Sequence, residues 1–128
     1  MSLTVPADLL EKAQRGPVSD EEFIACIRDS LPFAWSVVSD LADRLSTDGA
    51  PFADNQKEPP DEQARGQLLR LVGSDAMRGA VERHFNVRLA FQNCHRLALF
   101  DPAARAAFDD FVSPRAQLLN QSPELVNC

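Results

Sequence analysis

The fold class of this chain depends on one stretch, residues 85–100, which read Phe-Asn-Val-Arg-Leu-Ala-Phe-Gln-Asn-Cys-His-Arg-Leu-Ala-Leu-Phe. Interpreted as strands, large apolar residues alternate with other residues on both sides of a polar turn at Gln92–His95. Interpreted as a helix, residues 87, 90, 91, 94 and 98 share one face. Asn86 is typical of a helix stop, because asparagine tolerates the left-handed backbone found there. We therefore predict a β-hairpin over 87–100, with an all-α chain as the alternative.

Length and composition predict one soluble globular domain around this stretch. The chain has 128 residues, of which 45% are hydrophobic and 25% charged. This balance is ordinary for a folded domain, and the length suits a single hydrophobic core. The predicted architecture over residues 1–128 is mainly α, a compact bundle of five to seven short helices that carries the possible hairpin.

The helices are predicted from apolar periodicity and from start and stop residues. Ser19 and Glu22 have the spacing of a capping box, which places a helix start at Asp20. Ser30 is interpreted as the next N-cap, because Pro32 fits only the first turn of a helix. The predicted helices cover 6–15, 20–30, 31–45, 60–72 and 75–85, with a sixth from Pro102 and a seventh from Pro114 to Leu119.

Residues 46–60 form the one long internal loop that the sequence predicts. They read Ser-Thr-Asp-Gly-Ala-Pro-Phe-Ala-Asp-Asn-Gln-Lys-Glu-Pro-Pro, and Phe52 is the only large apolar residue among them. Loops of this length in a compact domain are often functional. Phe52 is therefore either an anchor that holds the loop against the core or an apolar contact offered to a partner.

The distribution of charge suggests an interaction surface. The net charge of −6 argues against a general affinity for nucleic acid or for anionic membranes. Residues 61–100 nevertheless carry six arginines and four acidic residues, a net +2, whereas the remainder carries −8. Such asymmetry can orient a docking surface or a self-complementary dimer. The predicted interaction surface consists of Arg65, Arg70, Arg78, Arg83, Arg88 and Arg96, together with Phe52.

The cysteines and the N-terminus predict a reduced, cytoplasmic setting. Cys26, Cys94 and Cys128 are widely spaced and form no CxxC pair. The first residues lack a basic segment followed by a long apolar run, so no signal peptide is expected. The longest apolar run, Phe23–Ile27, is much shorter than a membrane span.

Cys94, His95 and His84 are the candidate residues for thiol, acid–base or metal chemistry. Neighbouring side chains on a strand point to opposite faces, so Cys94 and His95 are poorly placed to act as a nucleophile–base pair. The spacing of the three residues matches no compact metal-ligand pattern. The chain also lacks a phosphate-binding glycine loop, HExxH and GxSxG. We therefore assign no catalytic residue, no cofactor and no metal. The sequence leaves an enzymatic function open but favours a protein that is not an enzyme.

A helix-turn-helix is a further alternative. The predicted helices 60–72 and 75–85 flank the turn Gly73-Ser74, and Met77, Arg78 and Arg83 would then lie on or near the recognition helix. Against this, the turn is tight and the overall charge is unfavourable for DNA.

Two segments carry a resemblance to other proteins. Pro60-Asp-Glu-Gln-Ala-Arg-Gly-Gln-Leu-Leu-Arg70 and Leu89-Ala-Phe-Gln-Asn-Cys-His-Arg96 resemble uncharacterised small proteins of high-GC actinobacteria. The residue usage, rich in alanine, arginine and aspartate, is similar to theirs. The resemblance implies no activity, cofactor or site.

These observations favour a non-catalytic, cytoplasmic interaction or regulatory protein. Its partner would be a protein or a second copy of the chain, with a homodimer expected, and neither nucleic acid nor membrane is expected as a partner. The first alternative is a small thiol- or metal-dependent sensor or enzyme centred on Cys94, His95 and His84. The second is a helix-turn-helix-like DNA-binding regulator.

Overall fold

The computed structural model of the chain describes residues 3–122, in which seven helices surround a three-stranded sheet. The mainly α class with a β-hairpin is confirmed, and the all-α alternative is wrong. The helices are α1 (Ala7–Arg15), α2 (Asp20–Ser30), α3 (Pro32–Asp48), α4 (Glu62–Val72), α5 (Asp75–Phe85), α6 (Arg105–Phe111) and α7 (Pro114–Leu119). The strands are β1 (Phe52–Asp54), β2 (Arg88–Gln92) and β3 (Arg96–Phe100).

The hairpin forms where the sequence predicts it. β2 and β3 pair antiparallel, with Arg88 opposite Phe100 and Gln92 opposite Arg96. The three-residue turn between them places Asn93 and Cys94 at φ values of 53° and 57°. Asn86, which ends α5, has a φ of 53°, so the left-handed stop predicted there is also present.

The segment 46–60 contains more regular structure than the predicted loop. α3 continues to Asp48 and ends at Gly49, whose φ of 64° is left-handed. Phe52–Asp54 then forms β1, which pairs antiparallel with β3, so that the strand order is β1-β3-β2. Three residues carry too little periodicity to mark a strand in the sequence. β1 is stabilised as a strand by its pairing with β3, almost fifty residues away.

The larger hydrophobic core lies between the helices and one face of the sheet. Leu97 and Leu99 of β3 are fully buried on this face. They pack with buried residues of α2 to α5, which include Ile27, Leu31, Val38, Leu41, Leu68, Leu71, Met77, Ala80 and Val81. The central strand β3 is thus covered by α2 to α5, four helices that the apolar periodicity predicts.

A smaller aromatic core covers the opposite face of the sheet. It consists of Ala90, Ala98, Phe100 and Phe111, with Phe52, Ala107 and Phe108 packed against it. The Phe52 ring stacks on Phe100 at 5.0 Å, and Phe111 and Phe108 meet Phe100 edge-on at 5.4 and 5.3 Å. Helix α6 therefore closes the sheet from the side away from α2–α5.

The start of α3 differs from the prediction. Leu31, not Ser30, is the N-cap residue, and its side chain makes no capping hydrogen bond. The Ser30 hydroxyl instead accepts from the Thr4 N–H at 2.9 Å. Gln67 of α4 supplies the cap, because its Oε1 accepts from the N–H groups of Phe33 and Ala34 at 2.7 and 3.2 Å.

The other helix starts follow local capping rules with two shifts. The capping box of Ser19 and Glu22 is present, and Ser74 and Ser113 cap α5 and α7. α4 begins at Glu62 with Asp61 as its cap, so Pro60 precedes the helix. α6 begins at Arg105 instead of Pro102, because the Asp101 carboxylate binds the Ala103 N–H in a turn that precedes the helix.

Candidate functional site

His84 and His95 lie in different environments. His84 is exposed on α5, with its ring 4.7 Å from Phe85 and 5.6 Å from Trp35. His95 is buried in the hairpin turn, where its Nδ1 lies 2.7 Å from the Asn93 carbonyl oxygen and therefore donates to it. The Asn55 side chain also donates to the His95 carbonyl oxygen at 2.6 Å. These contacts give His95 a structural role in the turn.

Cys94 is disulfide-bonded in the structure, whereas the buried Cys26 is a free thiol. A disulfide sulfur is neither a thiolate nucleophile nor a thiolate metal ligand. Within residues 3–122, no group of three or more His, Cys, Asp or Glu side chains is arranged to hold a metal ion. The thiol or metal alternative therefore gains no geometric support from Cys94, His95 and His84.

Several side chains of the predicted interaction surface contact nearby groups of the same molecule. Arg65 pairs with Glu62, and Arg70 donates to the Gly66 carbonyl oxygen. Arg96 forms an ion pair with the buried Asp54 at 2.6 Å, and its guanidinium lies 5.0 Å from the Phe111 ring. Phe52, stacked on Phe100, is an internal anchor of β1. Each of these four side chains is engaged by its own part of the molecule.

Arg83 joins two helices at the molecular surface. Its Nε and Nη2 donate to the two oxygens of Asp20 at 2.7 and 3.0 Å, which links α5 to the first turn of α2. The hydrogen bond from Arg83 lowers the pKa of the Asp20 carboxyl below its usual 3.8. Met77 lies in the core at 3% exposure. Of the residues proposed for a recognition helix, Met77 thus belongs to the core and Arg83 is paired with Asp20.

Arg78 and Arg88, by contrast, line one open groove beside β2. This edge groove has a volume of about 570 Å³. Its lining residues are Val72, Arg78, Glu82, Arg88, Leu89, Ala90, Phe91, Phe108 and Val112. The end of α4 and the start of α5 form one wall, and α6 forms the other. β2 is an outer strand of the sheet and forms the floor.

The edge groove combines cationic and apolar groups. The Arg88 guanidinium lies 3.5 Å above the centre of the Phe108 ring and has no carboxylate within ion-pairing distance among residues 3–122. Val112 on the same wall is 52% exposed. Leu69, one turn before Val72 on α4, is 41% exposed. The groove is thus a concave surface with half-buried and exposed apolar side chains and an arginine that has no carboxylate partner in the described part of the chain.

Sequence reasoning identified Arg78 and Arg88 but missed Val72, Glu82, Phe108 and Val112. Val72, Phe108 and Val112 fit the apolar faces of their helices, which is the pattern expected of core residues. Their exposure to the groove depends on β2 being an outer strand. That position follows from the β1–β3 pairing, which no local pattern of residues indicates.

A second cavity of about 530 Å³ lies between α3 and residues 55–60. Its floor is apolar, with Phe33, Val37 and Leu41, and its rim carries four charged side chains: Asp40, Arg44, Lys57 and Glu58. Arg44 already lies 3.6 Å from Asp40 and donates to the Asp54 carbonyl oxygen. With two charges of each sign, the rim selects no particular class of ligand.

Comparison with protein families assigns the chain to one of them. A family model described as NucS shadow ORF matches residues 1–128, the whole of the chain. The chain belongs to the NucS shadow ORF family. That description names no reaction, ligand or partner. Neither the curated proteins nor the solved structures contain a match to the chain. Among residues 3–122, no helix is both long and apolar enough to cross a membrane.

Proposed function

We propose that this protein is a non-catalytic interaction protein that binds a protein partner in the edge groove. The observation that carries the proposal is the groove itself: the exposed Val112, and an Arg88 that has no carboxylate partner among residues 3–122, line it beside an outer strand. An apolar concave surface with a few convergent charges is typical of protein-binding sites. Cys94, His95 and His84 provide no comparable arrangement.

The main chain of β2 adds a second reason to place the partner there. An outer strand leaves part of its N–H and C=O groups without a neighbouring strand, and such edges pair readily with another chain. Four of the five residues of β2, Arg88 to Phe91, line the groove. The partner would thus gain both hydrogen bonds from β2 and apolar contacts from the two walls.

The proposal is tested with a photo-activated crosslinker placed in the groove in living cells. A benzophenone side chain at Val112, which is 52% exposed, should capture the partner, whereas the same side chain at Leu10, 49% exposed on α1, should not. The adduct at 112 should disappear when Val72→Asp is added on the opposite wall, because a charge there disrupts apolar docking.

The mass of the adduct identifies the kind of partner. Twice the monomer mass would indicate the homodimer expected from the sequence, and any other mass would indicate a different protein. No adduct at 112, the same adducts at 10 and 112, or an adduct that persists with Val72→Asp would each contradict the proposal.

The cytoplasmic location and the actinobacterial source remain predictions within this proposal. Disulfides persist mainly in oxidising compartments, so the disulfide at Cys94 argues against a reduced setting. Rapid acid quenching of cells followed by thiol alkylation and mass spectrometry would show whether Cys94 is oxidised in the cell. A fully alkylated Cys94 would favour the cytoplasm.

A further inference from the structure

The hydrogen-bonding pattern of β2 shows which of its main-chain groups face the edge groove. The Leu89 N–H donates to Glu82 Oε2 at 2.9 Å, so it points away from β3. In an antiparallel pair the residues alternate between facing the partner strand and facing away from it. The N–H and C=O of Phe91 therefore also face the groove, in register with Leu89.

Glu82 already satisfies one of these groups, and three remain. Within residues 3–122, the Leu89 C=O and the Phe91 N–H and C=O have no hydrogen-bond partner on this side. Two residues spaced by two along an outer strand are the pattern to which an added strand binds. The groove can thus accept an extended segment as a fourth strand beside β2.

The charges of the groove select the chemistry of that segment. Arg88 has no carboxylate partner among the described residues. Arg78 forms an ion pair with Asp75, whose side chain is 92% exposed, and also donates to the Val72 carbonyl oxygen at 3.1 Å. Glu82, the one carboxylate that lines the groove in the described part of the chain, is engaged with Leu89. The described lining therefore has two positive charges and one negative charge, a net positive charge, although the chain carries −6 overall. Acidic side chains form charge-assisted hydrogen bonds with such guanidinium groups.

The apolar walls specify the remaining positions of the segment. Successive side chains of an added strand point to opposite faces, one towards Val72 and Arg78 and the next towards Phe108 and Val112. The first wall thus offers the apolar Val72 and the charged Arg78. The second wall offers the apolar Val112, and Phe108, over whose ring the Arg88 guanidinium lies. A segment that mixes β-branched and acidic residues fits both walls.

A second copy of the chain fits this groove less well. A two-fold dimer places the same patch against itself, so β2 pairing with β2 would bring Arg78 and Arg88 of both copies to one interface. Like charges at an interface are costly. The charge of the groove therefore favours a different, acidic protein.

We propose that the edge groove binds an extended, acidic and β-branched segment of another protein as a fourth strand beside β2, with Arg88 and Arg78 holding its carboxylates. This inference rests on the proposed function and specifies the partner's chemistry. Exposed apolar residues then contact the segment's valine-like side chains, and the Leu89 and Phe91 main chain sets its register.

The test uses a defined peptide as the probe, fluorescein-labelled acetyl-Glu-Glu-Val-Val-Glu-Glu-amide, which presents both glutamate and valine side chains to each wall. Fluorescence anisotropy is the measurement. Arg88→Gln combined with Arg78→Gln should weaken its binding by about tenfold or more, because charge-assisted hydrogen bonds are lost. Arg115→Gln is the matched control, since Arg115 is exposed on α7 outside the groove. It should leave the affinity unchanged, and the melting temperature of each variant shows that it is folded.

Two further peptides test the binding mode. An acetyl-Lys-Lys-Val-Val-Lys-Lys-amide peptide should not bind, because its lysines are repelled by the arginines. A version of the acidic peptide N-methylated at alternate amides, prepared in both registers, should lose affinity in the register whose amides face β2. Equal binding of both methylated peptides, binding of the lysine peptide, or an unchanged affinity of the double arginine variant would overturn the inference.

The crosslinking experiment separates failure of this inference from failure of the proposed function. If the peptide does not bind but the Val112 adduct forms and is lost with Val72→Asp, the groove binds a protein of different chemistry and only the present inference falls. A stable dimer in light scattering that Val72→Asp dissociates would place a second copy in the groove and would also overturn it. If neither adduct nor peptide binding is observed, both fall.

Discussion

Gln67 caps a helix to which it does not belong. Pro32 at the start of α3 has no N–H, and the next two N–H groups, of Phe33 and Ala34, need an acceptor because this end of the helix is enclosed. Gln67 of α4 reaches across and accepts from both with one oxygen, and it is itself only 8% exposed. The residue thus fixes the position of α4 against the start of α3.

Replacing Gln67 should therefore lower the stability of the protein more than replacing an exposed glutamine does. Gln67→Ala leaves two enclosed N–H groups without an acceptor, and we expect a loss of about 1–3 kcal/mol in the free energy of unfolding. Urea denaturation followed by circular dichroism measures it. Gln63→Ala, an exposed glutamine on the same helix, should change the free energy by less than about 0.5 kcal/mol. A Gln67→Ala protein as stable as Gln63→Ala would show that water replaces the cap.

At the scale of elements, the helices are held by contacts that join distant parts of the sequence. α2 and α5 pack side by side in the larger core, and the Arg83–Asp20 ion pair joins them at the surface. Both side chains are more than half exposed, so the pair is screened by solvent and its contribution to stability is small. Its effect should be visible as a pH dependence.

The sign of that dependence follows from the pKa of Asp20. The folded-state pKa is lowered below 3.8, so the pair stabilises the protein above the unfolded-state pKa. This stabilisation is lost as the pH falls through the lowered value. The difference in melting temperature between the wild type and Asp20→Asn should therefore shrink between about pH 5 and pH 2.

Glu21→Gln is the control for this measurement. Glu21 also lies in the first turn of α2 and shares the favourable interaction of an acid with the helix dipole, but it forms no ion pair among residues 3–122. Its variant should show a smaller change with pH than Asp20→Asn. Equal pH dependence of the two variants would attribute the effect to the helix dipole and not to Arg83.

At the scale of the whole molecule, β3 couples two cores. Leu97 and Leu99 point into the helical core, whereas Ala98 and Phe100 point into the aromatic core under α6. Gln92 lies on the same face of the sheet as Ala98 and Phe100, and its side chain donates to the Phe111 carbonyl oxygen at 2.8 Å. Loss of packing on one face should therefore weaken the other, because both faces share the central strand.

Phe111→Ala tests this coupling. Phe111 is 6% exposed, and its removal from an aromatic core should cost about 3–5 kcal/mol in the free energy of unfolding. Trp35, which packs near the helical core, should report the same loss by fluorescence as circular dichroism does. The control Leu118→Ala, at 74% exposure, should have little effect. If circular dichroism showed an early loss of helix while the Trp35 midpoint stayed unchanged, α6 would unfold independently of the helical core.

Much of the local structure could be predicted because its causes are local. The capping box at Ser19 and Glu22, the Ser74 cap and the left-handed Asn86 each act within one helical turn, so their residues mark the helix ends directly. The hairpin could be predicted for a similar reason, since its strands are neighbours in the chain. The edge groove could be predicted only in part, through Arg78 and Arg88, because its other residues also satisfy the pattern of a buried helix face.

By itself, the sequence determined the helical class, the hairpin at 87–100 and most helix boundaries, since these depend on side chains within a few residues of one another. Only the tertiary structure decided that Phe52–Asp54 pairs with β3, that Gln67 caps α3 and that β2 remains an outer strand. Each of these outcomes depends on contacts between residues more than thirty positions apart, or on which strand edge is left unpaired. The edge groove exists because β1 pairs with β3 on the side opposite β2. No local pattern in residues 85–100 indicates this strand order.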